Sequence, residues 1–314
     1  MTDLIPIGPE ELARQARELA AGSHAANTRR AYEADWRDFR GWCEQRGVSP
    51  CPADEETVVL YLTDLARSRK ASTLTRRLAA LAQAHRAAGW EAPGEMAGVR
   101  RLMRGIRRRL GTAPEAKRPV LIGDLKAMVK ALPDTAAGLR DRALLLVGFA
   151  AALRRSELVG LDVEDLEENG DGLVVRIRRS KTDQEGEGRK VGIPRGREEK
   201  SCPVRAVAAW RERGGIETGP LFRPVSRHGR IAKTRLSADA VARIVKRHAR
   251  ALGREERLFA GHSLRAGLAT SAALAGKPER AIMNQTGHRS VAAVRRYIRD
   301  GELFRENAAE GLGL

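Results

Sequence analysis

Helical spacing of apolar residues runs through almost the whole chain and limits what the chain can fold into. In "NTRRAYEADWRDFRGWCEQRG", Tyr32, Trp36, Phe39 and Cys43 follow one another at steps of four, three and four residues. This spacing places the four side chains on one face of an α-helix. A helix of this length is stable in water mainly when that face packs against other elements. The pattern therefore predicts a bundle of amphipathic helices.

The first 110 residues continue this pattern and contain no run typical of a strand. The leucines of "STLTRRLAALAQ" again share one helical face. Small, polar and proline residues then fill 111–120, a composition typical of a linker. We therefore expect a helical domain over 1–110, a linker over 111–120 and a second domain over 121–314.

The second half departs from helical spacing in one place. "GLVVRIRRSKTD" and "GRKVGIP" are β-branched runs, and the Gly- and Glu-containing "QEGEG" separates them. Such runs predict a short antiparallel hairpin or small sheet. The segments after residue 200, such as "SADAVARIVKRHARALG", are helical in pattern again. We therefore predict a mainly α chain with one small antiparallel sheet.

The charge balance indicates a polyanionic partner. Lys and Arg total 58 against 40 Asp and Glu, a formal net charge of +18. Nucleic acid is the first interpretation and an anionic membrane surface the second. One basic helix face is usually only a solvated surface, but basic faces occur here in both halves. The candidate DNA contacts are Arg76, Arg77, Arg100, Arg101, Arg104, Arg107, Arg243, Lys246 and Arg247.

Other segments argue against a membrane or secreted protein. The longest apolar run, 143–153, has 11 residues, whereas a membrane span needs roughly 20. The N-terminus lacks the basic start and apolar stretch of a secretory signal. Three scattered cysteines, Cys43, Cys51 and Cys202, lack CxxC spacing. We expect reduced thiols in a cytoplasmic protein, without a disulfide framework or a zinc site.

One tyrosine near the end of the chain is a candidate nucleophile. Tyr297 lies among Arg295, Arg296 and Arg299. Clustered arginines favour a phenolate and also bind phosphate. A tyrosine that attacks phosphorus forms a phosphotyrosine ester. The alternative is an amphipathic packing residue whose hydroxyl stays in water.

Three further segments carry candidate polar groups. In "GHSLRAG", His262 and Arg265 are three residues apart and share a helix face. "GH" recurs at His288. In "AALRRSELVGL", Arg154 follows the apolar run and stands three residues before Glu157. A buried arginine needs an anion nearby, and either this glutamate or a DNA phosphate could supply it.

The motifs "ALRRSEL", "RSKTD", "GHSLRAG" and "GHRSVAAVRRYI" resemble, in order and spacing, those of the tyrosine recombinase, or phage integrase, family. The layout is most similar to that of Cre-like members. The resemblance covers about 118–314, and the first half resembles the core-binding domain of the family in pattern. It implies a two-domain C-clamp, with a helical core-binding domain and a mostly helical catalytic domain that contains a small antiparallel sheet.

Carried over by position, the resemblance implies roles for individual residues. Arg154 and Arg265 match the two arginines that hold the scissile phosphate. Lys181, at the end of the first predicted strand, matches the lysine that protonates the leaving 5′ oxygen. His262 matches a general acid or base that also contacts the phosphate.

The remaining positions also match. Tyr297 corresponds to the nucleophile, and His288 to a hydrogen-bond donor to the phosphate. Glu157 corresponds to an acidic residue beside the first arginine. One position departs from the pattern, since many members have a second histidine where this chain has Ala266.

Phosphoryl transfer needs neutralised charge on phosphate oxygens and in-line placement of nucleophile and leaving group. Arginines and a histidine can supply the charge without a metal, and the sequence has no DxD, HExxH or P-loop pattern. We therefore expect no metal and no cofactor. The resemblance implies a site-specific DNA recombinase that works through a 3′-phosphotyrosine and a Holliday junction. An inactive DNA-binding protein of the same fold and a type IB topoisomerase are the alternatives.

The resemblance also implies how the protein assembles. It predicts binding to double-stranded DNA with short inverted-repeat sites, a monomer in free solution and a homotetramer on two paired sites. In "GELFRENAAEGLGL", Phe304, Ala308 and Leu312 form an apolar stripe at helical spacing. This stripe could dock on its own domain or, as the resemblance implies, on a neighbouring protomer. We expect no small-molecule substrate, no membrane partner and a bacterial or phage-encoded protein associated with the nucleoid.

Overall fold

The computed structural model describes residues 8, 10–12, 14–15, 26–113, 116–180, 183 and 187–301. The chain divides into two compact units, Met1–Glu115 and Ala116–Leu314. Helices dominate both units, and the strands of the described residues all lie in the second. The expected fold class, mainly α with one small antiparallel sheet, is confirmed.

The first unit is built from amphipathic helices. They are α1 (Ala26–Glu44), α2 (Glu55–Ala66), α3 (Ala71–Ala87) and α4 (Ala97–Leu110). Asp54 begins α2, because its carboxylate accepts a hydrogen bond from the backbone N–H of Thr57 at 2.7 Å. Phe39, Tyr61 and Leu74 are fully buried between the helices, so the apolar faces found in the sequence form one core.

A polar network lies within this core and corrects one expectation. The sequence placed Arg77 among the DNA contacts, but its side chain is buried. Its guanidinium donates hydrogen bonds to Asp38 and to the hydroxyl of Tyr61. Arg77 therefore links α3 to α1 and α2 rather than facing DNA. The neighbouring Arg76 is exposed but donates to buried Asp35.

The second unit packs helices and a three-stranded sheet into one core. Its elements are α5 (Ile122–Lys130), α6 (Ala136–Ala150), α7 (Arg155–Gly160), β1 (Leu166–Glu168), β2 (Gly172–Ile177), β3 (Arg189–Pro194), α8 (Pro203–Gly214), α9 (Ala238–Ala251), α10 (Ser263–Leu274), α11 (Glu279–Thr286) and α12 (Val291–Gly301). α6 is the central helix, and almost every residue along it is buried. The apolar run that is too short for a membrane span forms the end of this helix and the turn that follows it.

The sheet has the order β1-β2-β3 and is antiparallel throughout. Val175 of β2 pairs with Leu166 on one side and with Val191 on the other. The two longer strands are those expected from the β-branched runs. β1 was not expected, because its sequence, LEE, is short and mostly acidic.

Within the residues that the structure describes, no helix has both the length and the apolar character to cross a membrane.

A close approach of two backbones predicts a sensitive position. A Cβ on Gly267 of α10 would collide with the carbonyl oxygen of Val120, whereas a Cβ on Gly105 of α4 would meet open space. Alanine is the better helix former at both positions, by about 1 kcal/mol. We expect Gly267→Ala to lower the free energy of unfolding by about 1–3 kcal/mol and Gly105→Ala to leave it unchanged or raise it. Urea denaturation of both variants measures this difference, and equal effects would contradict the close approach.

Candidate active site

The structure brings six of the predicted site residues together in the second unit. They are Arg154, Glu157, His262, Arg265, His288 and Tyr297. They come from the α6–α7 turn, from α7, from both sides of the start of α10, from the turn after α11 and from α12. Lys181 lies outside the described residues.

A sharp turn after α6 positions the first arginine. Ala152 has φ +50°, a left-handed conformation that is uncommon for alanine. The chain then enters α7, with Arg154 as its N-cap residue. The guanidinium Nη1 of Arg154 donates to Glu157 Oε1 at 2.5 Å, and its backbone N–H donates to Glu157 Oε2 at 2.9 Å. Glu157 is thus the buried partner of this arginine, and the other guanidinium N–H groups of Arg154 have no hydrogen-bond partner in the described part of the chain.

The second arginine is completely buried. Arg265 has a relative exposure of 0%. Its Nη1 donates to the carbonyl oxygen of Ala152 at 2.8 Å, and its Nη2 lies 3.1 Å from His288 Nε2. Its buried Nε–H has no hydrogen-bond partner among the described residues. Burial, and then the charge of Arg154, lower its pKa to about 10. The site thus holds buried positive charge and free donors that suit an anion.

The tyrosine both packs and faces the polar site. Tyr297 is 8% exposed, and its ring belongs to an apolar cluster that includes Ala266 and Val294. Its hydroxyl oxygen lies 2.8 Å from Nε2 of His262. The ring therefore packs as the alternative interpretation expects, but the hydroxyl faces His262 rather than water. Ala266, the one position that departs from the motif pattern, belongs to the same apolar cluster as the ring.

Both histidines are neutral at physiological pH. The pKa of His262 is lowered to about 4, first by burial and then by the charges of Arg265 and Arg154. The same causes lower the pKa of His288 to about 4. A neutral His262 has a nitrogen lone pair that can take the proton of the Tyr297 hydroxyl.

Sequence reasoning missed a third cation beside the site. Arg189, the first residue of β3, has its Nη2 4.0 Å from Glu157 Oε2 and donates from Nη1 to the carbonyl of Gln285 at 3.2 Å. Burial lowers its pKa. Strand alternation could have found it, because Arg189 shares the inward face of Val191 and Ile193.

The basic helix faces differ in the exposure and ion pairing of their arginine and lysine side chains. Four α4 arginines are exposed and make no ion pair within the described part of the chain: Arg100, Arg101, Arg104 and Arg107. They share the face that lies opposite the buried side of α4.

The basic residues of α9 are less uniform. Arg243 is exposed and Lys246 is partly buried. Arg247 is exposed but bonded, because its Nη2 donates to the buried carboxylate of Asp141 at 2.5 Å.

In the described ranges, no three His, Cys, Asp or Glu side chains are grouped as metal ligands would be.

Family models and known proteins match this chain over most of its length. The phage integrase family model matches residues 123–302, and the phage integrase N-terminal SAM-like domain matches 17–92. An integrase/recombinase XerD homolog of Selenomonas ruminantium is 42% identical over 303 residues, which cover 95% of this chain and 89% of that protein. The Cre recombinase of Escherichia phage P1 is 27% identical over 284 residues, 84% and 81% of the two chains.

Solved structures show the same fold. A lambda integrase dimer bound to a core site matches with a TM-score of 0.61 at 17% identity, over 92% of this chain and 94% of that one. The Tn1549 transposon integrase bound to a circular intermediate DNA matches with a TM-score of 0.62, over 91% and 92% of the two chains.

The electrostatics of the site predict a measurable titration. A nearby cation disfavours the imidazolium, so removing one must raise the pKa of the histidine. We expect Arg265→Met to raise the pKa of His262 from about 4 toward its ordinary 6.5. Arg296→Met should raise it less, because Arg296 is exposed and its charge is screened by solvent. Histidine proton chemical shifts against pH measure both changes, and an unchanged His262 in Arg265→Met would contradict the coupling.

Proposed function

Since this chain belongs to the phage integrase family of tyrosine recombinases, which transfer DNA strands, we propose that it cuts and rejoins duplex DNA at specific sites through Tyr297. The observation that supports this most is the 2.8 Å contact between the Tyr297 hydroxyl and the neutral His262. This pair lies beside two arginines, each with N–H donors that have no partner among the described residues. The proposal assigns the nucleophile, its base and the phosphate contacts to one cluster.

The proposed cleavage step assigns one task each to the arginine pair, to Tyr297 and to His262. Arg154 and Arg265 donate hydrogen bonds to the nonbridging oxygens of the scissile phosphate and stabilise the charge that builds up there. The Tyr297 oxygen attacks phosphorus as its proton passes to His262. The bond from phosphorus to the 5′ oxygen then breaks, and the 3′ phosphate stays on the tyrosine.

The leaving oxygen must gain a proton. We assign this to Lys181, on its position in the sequence motif alone, because the lysine lies outside the described residues. Rejoining reverses the reaction, with a 5′ hydroxyl of a partner strand attacking the phosphotyrosine. The ester preserves the energy of the broken phosphodiester, so rejoining needs no nucleotide. Exchange of one strand pair and then the other passes through a Holliday junction.

The exposed basic faces support duplex DNA as the partner. The arginines of α4 in the first unit and Arg243 in the second are free to contact phosphates. Arg77 is left out of this surface because it is buried. Arg76 and Arg247 are exposed but already have carboxylate partners, so we rank them lower. Short inverted-repeat sites, and closure of both units around DNA as a C-clamp, stay predictions about the bound state.

An apolar groove supports the proposed tetramer. The second unit carries a groove of about 560 Å³, whose lining includes Ile122, Leu125, Phe149, Leu268 and Ala272. We propose that the C-terminal stripe of a neighbouring protomer docks there when two DNA sites are paired. The stripe and the groove are both apolar, so docking would remove both from water.

The nucleophile is tested with a nicked duplex that carries the site recovered by binding-site selection. The nick lets the short 5′ product diffuse away and traps the covalent adduct. We expect Tyr297→Phe to give no adduct and to bind the duplex as the unsubstituted chain does, since only the attacking oxygen is lost. Tyr32→Phe is the matched control and should keep the adduct. Denaturing electrophoresis measures the adduct.

Other outcomes of this assay, together with a plasmid relaxation assay, separate the recombinase from the two alternative functions. An adduct in the Tyr297→Phe variant would overturn the assignment. No adduct from the unsubstituted chain would favour an inactive DNA-binding protein. Relaxation of supercoiled plasmid that lacks the selected site would favour a type IB topoisomerase.

The docking proposal predicts a selective defect on paired sites. Ending the chain after Asp300 removes the apolar stripe, so we expect unchanged binding to one half-site and weaker filling of the second. Ala272→Asp should cause the same defect by placing a charge in the groove. Gel shifts on half-sites and paired sites measure both variants. If the shortened chain assembles on paired sites as well as the full chain does, the stripe docks on its own protomer and the proposal is wrong.

A further inference from the structure

A buried threonine lies beside His288, outside the set of residues that perform the proposed reaction. Thr286, the last residue of α11, is completely buried. Its hydroxyl oxygen lies 2.7 Å from the carbonyl oxygen of Ile282 and 2.7 Å from Nδ1 of His288. It therefore connects the backbone of α11 to a side chain of the active site.

The direction of these hydrogen bonds follows from a proton count. A carbonyl oxygen can only accept, so the hydroxyl donates its single proton to Ile282. The hydroxyl oxygen must then accept from His288, and Nδ1 must carry a hydrogen. The opposite arrangement would leave two oxygen acceptors facing each other at 2.7 Å in a buried position.

The other nitrogen of His288 leads independently to the same tautomer. Nε2 lies 3.1 Å from Nη2 of Arg265. A guanidinium has donors and no acceptor, so this contact is a hydrogen bond only if Nε2 is unprotonated. Thr286 on one side and Arg265 on the other therefore demand one and the same proton position. The lowered pKa of His288 agrees with a neutral ring.

The backbone around the threonine is itself held in place. Gln285 donates from Nε2 to the carbonyls of Ala150 at 2.6 Å and Gly192 at 3.1 Å. Gly287 has φ +64°, and a Cβ there would press on the guanidinium of Arg189. The end of α11 thus has a defined position relative to α6 and β3, and so has the hydroxyl.

We infer that Thr286 is a positioning residue, which fixes the proton of His288 on Nδ1 so that Nε2 holds Arg265. His288 then acts in the DNA-free protein as an acceptor for the arginine. This differs from the phosphate-donor role that the family resemblance implied. Arg265 is fixed at two points, by Ala152 and His288, and its Nε–H stays free for a phosphate oxygen.

The tautomer is measured directly in the free protein. Side-chain ¹⁵N shifts distinguish a protonated from an unprotonated ring nitrogen, and His288→Gln identifies the His288 signals among the six histidines. We expect the unsubstituted chain and Thr286→Ser to show a hydrogen on Nδ1 alone. Thr286→Val keeps the shape and loses the acceptor, so only Arg265 still favours the hydrogen on Nδ1 and we expect a mixture of the two tautomers. This measurement needs no DNA and no activity.

The effect on the reaction rests on the proposed function. We expect Thr286→Val to slow adduct formation by about 10-fold and to leave DNA affinity unchanged. This is the lower end of the effect of removing a hydrogen-bond partner that orients a metal-binding histidine. Thr286→Ser should restore the rate. Thr270→Val is the matched control, because Thr270 is also buried, at 6% exposure, but lies within α10.

Three results would overturn the inference. They are an Nε2–H signal in the unsubstituted chain, an unchanged tautomer in Thr286→Val, and a slowed Thr286→Ser that keeps the native tautomer. Failure of the unsubstituted chain to form any adduct would instead reject the proposed function, while the ¹⁵N shifts would still decide the tautomer.

Discussion

The burial of the Arg265 guanidinium is the constraint on which the catalytic unit depends. A cation without water is costly unless hydrogen bonds and opposite charge compensate it. Arg265 bonds to one backbone carbonyl and one histidine nitrogen, and no carboxylate among the described residues bonds to it directly. Glu157, whose charge acts on Arg265, is already bound to Arg154. The unit therefore contains a positive site that a phosphate would complete.

This constraint explains local features that would otherwise be unrelated. Ala152 adopts a left-handed conformation, which costs an L-residue about 1–2 kcal/mol, and its carbonyl oxygen is the one that meets the guanidinium. Burial, and then the same charge, lower the pKa of His262 and of His288 to about 4, so both rings are neutral. Neutral rings suit this geometry, since one faces the hydroxyl that loses its proton in the proposed reaction and the other faces a guanidinium that can only donate.

Arginines of this chain have three different roles, and the net charge does not separate them. Arg77 links helices through its hydrogen bonds to Asp38 and Tyr61. Arg265 is buried and would bind the phosphate in the proposed reaction. The α4 arginines are exposed to solvent. Burial of Tyr61, and then its bond to Asp38, raise the pKa of its phenol. This makes Tyr61 a poor nucleophile, in contrast to Tyr297 beside a neutral histidine.

Periodicity and motif spacing by themselves determined the helices of both units, the two longer strands and the residues that meet at the site. These signals are local, because helical faces repeat within a few residues and each motif is contiguous. Only the tertiary structure decided that Arg77 is buried, that Arg189 approaches Glu157, that the short acidic β1 joins the sheet and that His288 accepts from Arg265. Each of these depends on groups that lie far apart in the chain, such as Ala152 and Arg265. Burial and the direction of a hydrogen bond follow from which partners the fold brings within about 3 Å, and no local pattern of residues records that choice.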